Sequence, residues 1–261
     1  MIEFMIVVAF FLIVLPGILF YLYQPKIVFA PQHYKRRLLF AEYPARYQAV
    51  ELIVDQNVRL EGMVYEPEGE VHSTVLYFGG KEQDSVSIIS KFSIHYPQVR
   101  FIAFNYRAYG TSDSKPTEKR LHSDAISVFN WSHSRYGAIT LLGYSLGSNI
   151  AAFVATRKIA EKVILVGAFE SVGSLMRETF LLLPEFIIRY KFNTLYAIKS
   201  ISAPLYLYAA VEDQVVPIHH ARRLKENVPN LRTYKEISGY NHGELLFSSE
   251  MIEELNEVFK A

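Results

Sequence analysis

The sequence predicts an α/β fold with a mostly parallel central sheet and helices on both faces, and three observations predict it. Short apolar, β-branched runs alternate with longer helical patterns through the chain. One run, Val163-Ile164-Leu165-Val166, is apolar at every position, as a strand buried on both faces requires. The residues suited to chemistry fall just after strand patterns, where open parallel sheets bind their ligands.

The strand patterns lie at residues 51–54, 59–65, 74–78, 101–105, 139–144, 163–166, 205–209 and 232–237. The first two read as an antiparallel pair and the rest as β-α-β units. Helix-length segments lie at 116–134, 146–159, 217–227 and 248–260. The chain has 261 residues, enough for one α/β domain, and its 51% hydrophobic content supplies a core. A net charge of +1 offers no basic stripe for nucleic acid. With no cysteine, disulfides, thiolate metal sites and cysteine nucleophiles are excluded.

Residues 4–23 form a run of 20 without a charge, long enough as a helix to cross a bilayer. The n-region carries Glu3 rather than basic residues, which favours an uncleaved anchor over a signal peptide. The expected division is therefore an N-terminal transmembrane anchor, residues 1–25, and one domain, residues 26–261. Lys26, Lys35, Arg36 and Arg37 follow the run, and the positive-inside rule puts the domain on the cytoplasmic side of a single-pass protein.

The strand pattern at 139–144 runs into Gly143-Tyr144-Ser145-Leu146-Gly147, and a small-residue helical stretch follows. A strand, a sharp Gly-flanked turn and a helix make a nucleophile elbow, with Ser145 as the nucleophile. A serine hydroxyl needs a base, and the base needs an acid to orient it. On such sheets they follow in the order acid, then histidine. Asp213 stands after the strand pattern at 205–209, with Glu212 as a local rival. His242 stands in a Gly-punctuated loop after the pattern at 232–237. The other seven histidines, His33, His72, His95, His122, His133, His219 and His220, are expected to be structural or on the surface. The oxyanion needs two preplaced N–H donors. Leu146 supplies one, and the loop Gly79-Gly80-Lys81 the other, with Gly80 preferred and Lys81 the alternative.

These residues resemble the α/β-hydrolase superfamily, especially its membrane-anchored, single-pass members related to the serine aminopeptidase and monoacylglycerol lipase-like branch. The resemblance runs through Val75-Leu76-Tyr77-Phe78-Gly79-Gly80, Asn105-Tyr106-Arg107-Ala108-Tyr109-Gly110-Thr111-Ser112, the elbow at Ser145, Ile201-Ser202-Ala203-Pro204-Leu205 leading to Asp213, and Gly239 with His242. It covers nearly all of the chain after the apolar run. Two positions depart from the group's pattern: Phe78 stands where a histidine is common in the oxyanion loop, and Ala108 where a glycine is usual.

The resemblance implies a small helical cap at about residues 172–200, rich in large apolar groups. Two readings of it stand. It is an acyl pocket or lid dipping into the membrane, with Arg177, Arg189 and Lys191 near head groups, or an ordinary helical excursion packed on the domain. The function expected is hydrolysis of carboxylic esters or thioesters, with lipid or acyl substrates near a membrane, and no metal or organic cofactor is needed. A peptidase on the same triad and a catalytically silent membrane scaffold are the alternatives.

Overall fold

The computed structural model describes residue 11 and residues 14–31, 44–180 and 183–261. The strands are β1 (Tyr47–Val54), β2 (Val58–Tyr65), β3 (Ser73–Phe78), β4 (Val99–Phe104), β5 (Thr140–Tyr144), β6 (Val163–Val166), β7 (Leu205–Ala210) and β8 (Leu231–Ile237). They form one eight-stranded sheet in the order β1-β2-β4-β3-β5-β6-β7-β8. β2 pairs antiparallel with β1 and β4, and every pairing from β4 to β8 is parallel. Each expected strand is present, with ends moved by up to four residues. The fold is that of an α/β hydrolase.

The sheet is buried on both sides, and the side-chain alternation shows how. Leu76, Leu141, Val163, Leu165 and Leu207 face one apolar cluster. Val75, Leu142, Ile164, Val166 and Tyr208 face the other. This is why the run at 163–166 is apolar throughout: consecutive residues enter different cores. The first cluster is closed by α3 (Glu118–Tyr136) and α4 (Leu146–Ala155). The second is closed by α2 (Ser85–His95) and the C-terminal helix α9 (Ser249–Lys260). Asp84, Thr117 and Ser248 cap α2, α3 and α9 by accepting a backbone N–H three residues on.

Between β6 and β7 the chain forms α5 (Val172–Thr179), a 3-10 turn at Glu185–Ile187 and α6 (Thr194–Ile198). The remaining helices are α7 (His219–Lys225) and α8 (His242–Leu245).

Of the N-terminal run, residues 11 and 14–23 are described, and 15–23 open α1 (Leu15–Val28), a helix of 14 residues. Among the described residues no helix is long and apolar enough to cross a membrane. Residues 1–10, 12 and 13, which hold the rest of the run, and 32–43, with Lys35, Arg36 and Arg37, lie outside the described residues. The end of α1 is docked rather than free. Gln24 is fully buried, donates to the Ile187 carbonyl at 2.7 Å and accepts from the Arg189 N–H at 2.7 Å. Phe20 meets Phe180 edge to face, and Phe29 meets Tyr190. A polar side chain spending both ends of its amide inside the domain is what ends the lipid-like character of the run.

The segment after β4 is a hub. Arg107 is fully buried and forms a two-pronged pair with Asp124, Nε and Nη2 each at 2.7 Å. It also pairs with Asp55. Ala108, where relatives of the motif usually carry glycine, has φ +67°, a conformation that strains a side chain. Replacing Asp124 by Ala strands a buried guanidinium with a half-exposed partner. It is expected to cost roughly 3–5 kcal/mol, read as a lower urea midpoint with an unchanged slope.

Candidate active site

β5 delivers Gly143 and Tyr144 to a turn whose apex is Ser145, and α4 starts at the next residue. Ser145 has φ 54° and ψ −118°, a strained conformation for a residue with a side chain. Steric crowding explains the flanking glycines. A Cβ on Gly143 would lie 2.4 Å from the Gly147 carbonyl oxygen, and one on Gly147 would lie 1.9 Å from that of Phe78. The strain is held by hydrogen bonds: Ser145 N–H donates to Val166 O at 2.9 Å, and the Ser148 hydroxyl to Gly143 O at 2.9 Å.

Asp213 lies in the turn after β7 and is 7% exposed. Its Oδ1 accepts from the N–H groups of Val215 and Val216 at 2.8 and 2.7 Å, which fixes the carboxylate and leaves Oδ2 free to face His242 Nδ1 at 2.6 Å. His242 Nε2 lies 2.9 Å from Ser145 Oγ. With Nδ1–H directed at the carboxylate, Nε2 is the lone-pair side and accepts from the serine hydroxyl. Glu212 does something else: its Oε2 accepts from Gly239 N–H at 2.9 Å, joining the acid turn to the loop that carries the histidine. His242 opens α8, which Asn241 and Glu244 start with a reciprocal capping box.

Two residues that shape this site were not singled out from the sequence. Tyr144 stacks on the His242 ring with centroids 5.2 Å apart, and its hydroxyl donates to the His242 carbonyl at 2.6 Å. Burial, with the Asp213 charge close by, pushes its phenol up, so it remains a donor. Gly167 makes room for the imidazole: a Cβ there would sit 3.0 Å from His242 Cε1, at φ +59°. The second residue of a G-x-S-x-G pattern and a glycine in a distant loop carry no local signal of such roles.

The oxyanion candidates lie beside the serine. Leu146 is the first residue of α4, so its N–H belongs to the helix turn that has no carbonyl partner inside the helix. Gly80 is next to Ser145, since a Cβ on it would come 3.4 Å from Ser145 Cβ. Its N–H is donated to Gln83 Oε1 at 2.9 Å in this state. The loop is fastened from outside. Tyr106 Oη donates to Gly79 O at 2.8 Å, and Tyr109 Oη to Lys81 O at 2.6 Å. Phe78, in the place of the usual histidine, is 4% exposed and packs in the core. A cavity of about 780 Å³, lined by His122, Phe153, Arg157 and Tyr190 among others, does not include the Ser145, Asp213 and His242 cluster in its walls.

Gly167→Ala tests whether the cluster is poised for proton transfer. The added methyl must push the His242 ring, so covalent labelling of Ser145 by a fluorophosphonate is expected to fall about a hundredfold. Circular dichroism of the variant is expected to match that of wild type.

No family model matches the chain. It is 28% identical over 225 residues to an uncharacterized membrane protein of Saccharomyces cerevisiae, covering 76% of this chain and 78% of that one. It is 25% identical over 226 residues to the lysophosphatidylserine lipase ABHD12 of Mus musculus, covering 71% of this chain and 55% of the lipase. The chain thus spans little more than half the length of that lipase. Among solved structures, an esterase of Pyrococcus furiosus superposes with a TM-score of 0.68 at 20% identity, covering 88% of this chain and 98% of the esterase. An α/β hydrolase of Vibrio vulnificus does so with a TM-score of 0.69 at 19% identity, covering 87% and 86%. Sheet order, the turn at Ser145 and the relatives agree: the chain has the α/β-hydrolase fold and is similar to proteins of that superfamily.

Proposed function

We propose that the protein is a serine carboxylic ester hydrolase acting on long-chain acyl esters held at a membrane. The observation that carries this reading is the unbroken hydrogen-bonded line from Asp213 Oδ2 through His242 to Ser145 Oγ, at 2.6 and 2.9 Å. In the reaction, Ser145 Oγ attacks the ester carbonyl while its proton passes to His242 Nε2. Asp213 holds the imidazole tautomer and stabilises the imidazolium. The oxyanion is met by the N–H groups of Leu146 and Gly80, the second becoming available as the substrate oxygen displaces the Gln83 amide. The imidazolium then protonates the leaving alkoxide, and water hydrolyses the acyl-enzyme by the reverse proton path.

The acyl-ester class is supported by the lipase and esterase likenesses reported above. Location at a membrane is supported by the apolar run at 4–23 and by where its end docks. Ile18, Leu19, Leu22 and Tyr23 of α1 are exposed, and so are Phe180 and Phe186 in the stretch between β6 and β7. In this reading residues 1–25 anchor the chain, residues 172–200 cap the site, and both present apolar groups to one bilayer surface. Residue Lys26 and the basic cluster at 35–37 place the domain on the cytoplasmic side. Of the expected head-group residues, Arg177 pairs with Glu185, and Arg189 lies over the Tyr21 ring.

Three measurements test this. Ser145→Ala and His242→Ala are expected to abolish fluorophosphonate labelling and to lower kcat on a long-chain ester by about a millionfold. Asp213→Asn is expected to lower it by about ten thousandfold. A folded wild-type protein that does not label would leave the silent-scaffold alternative. In a series of esters, kcat/KM is expected to rise with acyl length, whereas faster turnover of peptides would favour the peptidase alternative. The double substitution of Phe180 and Phe186 by Asp is expected to slow hydrolysis of esters in vesicles at least tenfold. Turnover of a short soluble ester should be unchanged.

A further inference from the structure

Away from Ser145, three metal-ligating side chains converge. Glu178 lies at the end of α5, and His219 and His220 open α7, shortly after the Asp213 turn. Their ligand atoms all lie within 4.8 Å of one another. His219 Nε2 is 2.8 Å and His220 Nε2 is 3.1 Å from the same oxygen, Glu178 Oε1. In a tetrahedral zinc site, bonds of about 2.0–2.1 Å leave ligand atoms roughly 3.3 Å apart, so little movement would be needed.

The condition of His220 points to a ligand. Its side chain is fully buried, yet neither ring nitrogen makes a well-formed hydrogen bond. Buried polar atoms are normally satisfied. His220 Nδ1 faces Glu170 Oε1 at 3.4 Å, and the other oxygen of that buried carboxylate lies 3.4 Å from Arg223 Nε. An imidazole with a carboxylate behind one nitrogen and an open lone pair on the other is the arrangement found behind metal-ligating histidines. The donor set of two imidazoles and one carboxylate suits zinc and its neighbours rather than magnesium or calcium.

We propose that Glu178, His219 and His220 bind one divalent ion of the zinc class, oriented by Glu170, which ties the stretch between β6 and β7 to the helix that follows the Asp213 turn. Three protein ligands leave a fourth position for water. The ion takes no part in acyl transfer. It staples α5 to α7, two elements that otherwise meet here through exposed side chains, Glu178 being 38% and His219 57% exposed.

The test does not depend on hydrolysis. The full chain, stripped with a chelator, is titrated with zinc chloride in a calorimeter and melted with and without zinc. The expected result is one ion per chain with micromolar or tighter affinity, a raised Tm, and no response to magnesium. Glu178→Gln and His219→Ala, both at exposed positions, are each expected to weaken binding at least tenfold. Glu170→Gln is expected to weaken it about ten- to hundredfold, and His242→Ala to leave it unchanged. No saturable zinc binding in the micromolar range would overturn the proposal. So would binding that survives Glu178→Gln and His219→Ala, or that is lost in His242→Ala.

Discussion

The structure depends on how closely α4 approaches the sheet. Gly147 lies so near the Phe78 carbonyl that no side chain fits between them, and Gly143 is likewise too close to the first turn of the helix to carry one. That approach forces Ser145 into its strained conformation and sets Leu146 N–H at the start of the helix. It also places Ser145 beside β3, whose following loop holds Gly80. The backbone strain is local, but it is carried by two apolar clusters that grip the sheet from both sides.

Much of this could be read from the chain. The alternation of β-branched runs and helical stretches located the eight strands among the described residues, because burial on both faces leaves a continuous apolar signature at 163–166. Ser145, Asp213 and His242 stand out as candidates because each follows a strand, where the sheet opens, and the structure brings the three side chains within hydrogen-bond distance. Asp213 and Glu212 could not be separated by position alone. What separates them is that one carboxylate is fixed by two backbone N–H groups and the other is spent on Gly239. Tyr144 and Gly167 left no local mark, since their contacts with His242 cross long stretches of sequence. The convergence of Glu178 with His219 and His220 was hidden for the same reason: it joins two helices across β7, and adjacent histidines in isolation read as surface residues.

The Asn-Tyr-Arg-Ala-Tyr segment links these parts. Arg107 anchors it to α3 through Asp124, while Tyr106 and Tyr109 hold the carbonyls of Gly79 and Lys81. The loop at 79–81 therefore gets its shape from hydroxyls donated by a neighbouring strand end, with no polar side chain needed at position 78. Phe78 can then serve the core instead of the loop.

The same hydroxyl of Tyr109 accepts from the Ala30 N–H at 3.1 Å. Together with Gln24, clasped by residues 187 and 189, this makes the end of α1 an internal part of the domain. The N-terminal helix and the sheet domain are thus not separable modules with a seam at residue 25. Trimming the chain there would unbutton the β6–β7 stretch, leaving the Ile187 carbonyl and the Arg189 N–H without the amide that now serves both. A shortened chain that keeps these contacts has to retain Gln24, while the exposed apolar residues Ile18, Leu19, Leu22 and Tyr23 before it are open to replacement.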